Sequence, residues 1–184
     1  MERVTRKRTL ETRDRILDAA EDVFSERGFS NTTLNEIAET AGVTRGAIYW
    51  HFKNKDDLFE AMCSRVREPL KAMVQKTADK DTEDPLDQLS KVHESIMREV
   101  VNNPHYRKVL NILFHKCEFT QETDQIVIQQ KEWRTYSGNM IRTTLTHAQQ
   151  KKQLPPDLDI ELAGNLLGFV FKGLLADWLF MPDS

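Results

Sequence analysis

Apolar side chains recur along this chain at intervals of three and four residues, the period of a helix surface. Leu34, Ile37, Ala38 and Ala41 fall at i, i+3, i+4 and i+7 and predict one short helix. Thr33 and Glu36 have the T-x-x-E spacing of a capping box, which starts that helix near Leu34. Gly42 ends it, because glycine takes the left-handed conformation without a steric penalty. Thr44 then caps a second helix from Arg45 to His51. In it Ile48 and Phe52 point inward, which leaves Thr44, Arg45, Ala47, Tyr49, Trp50 and His51 for the remaining surface. Two short helices around a tight turn, the second presented outward, form a helix-turn-helix whose second helix enters a major groove. The candidate DNA contacts are therefore Thr33, Thr44, Arg45, Gly46, Ala47, Tyr49, Trp50, His51 and Lys55. Arg45 and Tyr49 are the candidates for bases, and Lys55 with Thr44 for phosphates.

The same period organises the rest. A first helix over 10–27 buries Ile16, Ala20, Val23 and Phe24, with Gly28 just past its end. Asn54 caps a helix that runs to about Thr77 on the stripe Leu58, Met62, Val66, Leu70 and Met73, and Pro69 in its interior should bend it. The polar run 78–84 is a loop. Asp84-Pro85 opens a helix to about Val101, with Leu86, Leu89, Val92, Ile96 and Val100 on one face, and Asn103-Pro104 opens another to about Lys116. Thr120 is a cap for a long helix over 121–152 that turns Ile126, Trp133, Met140, Ile141 and Leu145 inward. Pro155-Pro156 break it, and Asp157 or Asp159 caps a last helix in which Leu162, Leu166, Val170, Leu174 and Trp178 recur every four residues. The expected fold is all-α: a three-helix DNA-binding domain over 1–54 and a helical body over 55–184.

Charge refines this picture. The 184 residues carry a formal charge of -3, which alone speaks against a nucleic-acid binder, but the first 55 are slightly basic and the remainder acidic. Arg3, Arg6, Lys7, Arg8 and Arg13 outnumber Glu2 and Glu11, a flexible basic arm suited to phosphates or, equally, a solubilising tail. No apolar run follows the charged N-terminus, so no secretory signal is read and the expected location is the cytoplasm. Asn165, Lys172 and Asp177 interrupt the most apolar stretch, which argues against a membrane span. Cys63 and Cys117 are too few for a disulfide framework or a zinc site. A glycine-rich phosphate loop, an H-E-x-x-H and a nucleophile elbow are all missing from the sequence, so no enzyme and no cofactor is expected. His115-Lys116-Cys117-Glu118 could be drawn as a thiolate site, but those helix positions do not share one face.

Residues 44–55, TRGAIYWHFKNK, resemble the recognition-helix signature of TetR-family repressors, in particular the branch that controls multidrug efflux pumps. The helix RDRILDAAEDVFSERGF before it and His115-Lys116-Cys117-Glu118-Phe119 in mid-chain are similar to the same branch. The resemblance implies a homodimer on palindromic double-stranded operator DNA, released when the body takes up a small apolar or aromatic compound. For that pocket it suggests Ile96, Leu110, Phe114, Ile141, Phe169 and Lys172, residues that could equally be ordinary core. Members of the branch often have polar residues at the positions of Leu110, Phe114 and Ala176, which implies a different ligand set here. They usually have one more helix beyond Phe180 to Ser184, packed in the dimer interface. Gly164 and Gly168, with Leu175, are candidates for that interface, since small residues four apart let helices approach closely within or between subunits. The alternative is an architectural DNA-binding protein with the same head and no inducer, distinguished by the absence of a cavity in the body.

Overall fold

The computed structural model describes residues 2–117 and 125–181, with side chains from residue 8 onward. Among the described residues there are eight α-helices and no strand: α1 Glu2–Arg27, α2 Leu34–Ala41, α3 Arg45–His51, α4 Lys55–Thr77, α5 Pro85–Asn102, α6 Pro104–His115, α7 Gln125–Gln150 and α8 Ile160–Phe180. Thr120, the expected cap of the long helix, and Glu118 and Phe119 of the mid-chain motif lie outside the described residues. α1 starts at Glu2 rather than near Leu10, so the backbone of the expected flexible arm is helical. Its sequence explains this: good helix formers dominate and neither Gly nor Pro occurs before Gly28. The side chains of Arg3, Arg6 and Lys7 are outside the described set.

The chain forms two compact units, and their limits differ from a cut at residue 54. The first contains α1, α2, α3, α4 as far as Val66, and α6 from Lys108 onward. Ile16, Leu17, Phe24, Ile37, Ile48, Leu58, Phe59, Met62 and Ile112 are fully buried there, so both α4 and α6 supply core to the unit that holds α2 and α3. Three rings form its centre. Phe29 and Phe59 stand edge to face at 4.9 Å, and each lies 5.5 Å from Phe24, separations at which aromatic pairs attract beyond the area they bury. Arg65 on α4 anchors α1 by pairing with Asp18 at 2.6 Å and with the almost fully buried carboxylate of Glu21 at 3.1 Å. Lys108 on α6 pairs with Asp22.

In the second unit α5 starts as its sequence requires. Asp84 Oδ1 accepts the Asp87 N–H at 2.9 Å, Pro85 occupies the first turn, and Gln153 donates to the same carboxylate at 2.8 Å. Asp159 caps α8 by accepting the Leu162 N–H at 3.0 Å. Buried Thr77 and Thr144 share a hydrogen bond of 3.0 Å that ties the end of α4 to α7. His93 on α5 packs edge-on against Phe171 of α8 at 4.2 Å. Burial pushes its pKa below the ordinary imidazole value, against the opposing effect of its bond to the Leu89 carbonyl. The unfolded chain therefore binds that proton more readily, and His93 should lower stability progressively as pH falls below about 6.5. The loss of melting temperature between pH 7.5 and 5.5 should be smaller in His93→Gln than in wild type; equal losses would count against this assignment.

α8 is turned the opposite way to expectation. Gly164 and Leu175 face inward: a Cβ on Gly164 would meet Arg142 Cγ at 2.9 Å, and one on Gly168 would touch Ile141 Cδ1 at 3.9 Å. These small residues admit α7 within one subunit, which gives Gly164, Gly168 and Leu175 a packing role inside the chain. The stripe Leu162, Leu166, Val170 and Leu174, which recurs every four residues as a core stripe would, is instead 54–59% exposed. By length and composition α8 is also the described helix that could cross a membrane, but Lys172 and Asp177 lie within it and its other side is packed on α7.

Candidate nucleic-acid interface

The reading helix is held from its base. Glu36 Oε2 accepts the Thr33 N–H and hydroxyl, both at 2.8 Å, while Thr33 Oγ1 accepts the Glu36 N–H at 3.3 Å, a complete capping box. The Thr33 backbone bond, then the Thr33 hydroxyl, hold the Glu36 pKa below the usual carboxylate value. Gly42 closes α2 with φ +62°, and the α1 guanidinium of Arg15 donates to the Ala41 carbonyl at 2.6 Å. Thr44 Oγ1 then accepts the Ala47 N–H at 3.2 Å and opens α3. Buried Ile48 and Phe52 fix the inner face, and the Arg13 guanidinium lies over the Phe52 ring at 5.4 Å.

What remains outside is a compact polar and aromatic face. Thr44, Arg45 and Gly46 are exposed, Tyr49 is 47% exposed and Trp50 70% exposed. Arg45 donates to the Tyr49 hydroxyl at 3.0 Å and lies over its ring at 5.4 Å, so the two act as one braced donor group. Ala47 and His51 are half-buried; burial, and then the Arg13 charge, push the His51 pKa down, which favours neutral imidazole. Lys55 departs from expectation. Its ammonium donates to the carbonyls of Phe29, Ser30 and Thr32 at 2.8, 3.4 and 2.9 Å and sits over the Phe29 ring at 4.4 Å. All three donors are thereby used on the α1–α2 loop, which gives Lys55 a structural role here. Lys55→Met should cost about 1–3 kcal/mol of stability through the stranded carbonyls and leave the salt dependence of DNA binding unchanged. A flattened salt dependence at full stability would reverse that conclusion.

In the second unit, α7 and α8 enclose a cleft of about 220 Å³ lined by Ile141, Phe169 and Lys172 together with Arg134, Thr135, Ser137, Gly138, Arg142, Gly164, Asn165 and Gly168. Three of the six expected ligand residues thus meet. The other three do not join them: Ile96 is in the core of α5, Leu110 is half-buried, and Phe114 on α6 is 38% exposed and belongs to the first unit.

Comparison with known proteins adds the decisive observation. Residues 16–62 match the family described as bacterial regulatory proteins, tetR family, and residues 84–184 match the MAATS-type transcriptional repressor C-terminal region. The chain belongs to the TetR family. It is a DNA-binding transcriptional regulator and not an enzyme. Among its relatives are the HTH-type transcriptional regulator TtgR of Pseudomonas putida, 39% identical over 100% of this chain and 88% of the relative, and AcrR of Shigella flexneri, 38% identical over 100% and 86%. Among solved structures it is similar to NalD, the secondary repressor of the MexAB-OprM multidrug efflux pump in Pseudomonas aeruginosa. The TM-score there is 0.78, with 32% identity over 96% of this chain and 87% of that one. The SmeT–triclosan complex gives a TM-score of 0.83 with 29% identity over 94% and 82%.

For a TetR-family regulator the residues missed by sequence reasoning are informative. Lys53 is exposed beside α3, whereas the lysine selected from sequence is the one facing the loop carbonyls. Arg134 and Arg142 went unselected because polar residues on a long helix look solvated until α8 is laid against them. Cys117, a half-buried thiol, has its pKa pushed up to about 12 by burial.

Proposed function

We propose that this chain is a ligand-responsive repressor that binds a palindromic operator as a dimer, is released by small apolar or aromatic compounds, and controls a multidrug efflux pump from the cytoplasm. The observation that carries the reading is the outward face of α3, where Arg45, braced by Tyr49, is the one described arginine of that helix and stands beside exposed Trp50. An arginine fork presented to a major groove pairs bidentately with guanine. Thr44 and Lys53 are the phosphate contacts in this reading. The names of NalD and of TtgR and AcrR, and the triclosan bound to SmeT, support efflux control and a small aromatic trigger. The exposed leucine and valine stripe of α8 supports pairing of two copies, which places two heads on a two-fold operator. α4 has residues in both units, so a ligand that prefers one arrangement of the body can act on the head through it.

Selection of bound sequences from random duplex DNA, followed by a screen of compounds for release, tests this. A palindrome should be enriched; failure to enrich one would end the repressor reading. On that operator Arg45→Ala should cost about 1–3 kcal/mol and relax base preference at one position of each half-site. Lys53→Ala should weaken all DNA alike and reduce the salt slope by about one. Salt titrations on cognate and random duplexes separate the two, and an Arg45 variant of unchanged specificity would remove it from the base contacts.

A further inference from the structure

Arg134 of α7 and Lys172 of α8 face the same cleft, and among the described residues no carboxylate pairs with either. The third cation there, Arg142, is already bound by Glu161 at 3.2 Å. Two like charges held together without a counter-ion repel one another, and the cost shows on Lys172, whose pKa is pushed down by burial first and by Arg134 second. Apolar surface adjoins the charges. The Arg134 guanidinium lies over the Phe169 ring at 5.5 Å, and Ile141 lines the same space. The cleft is half open to solvent, and its volume of about 220 Å³ exceeds the roughly 150 Å³ of an enclosed cavity that holds benzene, so a ring can lie in it with a charged substituent toward the cations.

We propose that the α7–α8 cleft is a binding site for a small aromatic carboxylate, its anion between Arg134 and Lys172 and its ring against Phe169 and Ile141. The guanidinium supplies paired donors to the carboxylate and the ammonium a third, and the bound anion relieves the repulsion between the two cations. This names a ligand class for the trigger and, for its regulatory meaning, rests on the repressor reading; binding itself does not.

Calorimetric titration of the whole chain with benzoate, benzamide and inorganic phosphate tests it. Benzoate should bind about tenfold or more tightly than its neutral isostere, since a hydrogen-bonded charge is at stake, and should weaken with added salt. Lys172→Met and Arg134→Gln, each with an unchanged melting temperature, should remove that preference for benzoate. Equal affinity for benzoate and benzamide, phosphate binding as tight as benzoate, or variants that retain the preference would each overturn the site. Enrichment of a palindrome with release by neutral compounds alone would overturn the carboxylate class and leave the repressor standing. Benzoate binding without any enriched operator would support the site and defeat the repressor.

Discussion

Phe59→Ala should remove roughly 3–5 kcal/mol of stability, a large share of the 5–15 kcal/mol or so that holds a typical domain together. Phe59 is fully buried and meets both Phe29 and Phe24, so its loss opens a cavity bordered by two rings that came from α1 and the loop after it. The surroundings cannot easily collapse into it, because Phe29 is also fixed by the Lys55 ammonium over its face and by its N–H, which donates to the Lys116 carbonyl at 3.0 Å. Chemical denaturation of the variant should show a lower midpoint with a similar slope, and Phe59→Leu should recover the greater part. A change below about 1 kcal/mol would mean that the three rings do not hold the unit together.

Leu166→Glu combined with Leu174→Glu should have the second large effect. Both side chains project from the open face of α8, so their replacement leaves the single chain intact, and circular dichroism and melting should scarcely move. Across a pairing face, however, two buried carboxylates without partners are costly. The protein should sediment as a monomer at micromolar concentration. Operator affinity should fall by a factor on the order of 10²–10⁴, the gain that linking two binding modules provides. A double variant that stays dimeric would place the contact elsewhere on the chain.

What could be read from the sequence was local. The capping box of Thr33 and Glu36, the left-handed Gly42, the Thr44 cap and the Asp84-Pro85 start each depend on residues three or four apart, and each has the geometry its spacing demands. What could not be read depends on distant partners. Lys55 looks like any lysine at a helix start until the carbonyls 23 to 26 residues away converge on it. A leucine every fourth residue on α8 reads as core, yet periodicity shows only that a face is apolar and not whether anything covers it. Gly164 was legible as a close-approach residue, but the approaching helix is α7 of the same chain. Phe114 is assigned with the later part of α6 to one unit and Lys172 with α8 to the other, a division that no local spacing announces.

The grip of Lys55 and the Lys116 carbonyl on the α1–α2 loop bears on modularity. Specificity of such regulators invites exchange of heads between relatives, with residue 54 as the apparent seam. A graft cut there would leave behind Lys55, Leu58, Phe59 and Met62, and with Lys108 to Lys116 also the partner of Asp22 and the acceptor of the Phe29 N–H. The transplanted helices would arrive without half of their own core. The transferable part is discontinuous in sequence: everything through Val66, accompanied by the stretch of α6 that completes it.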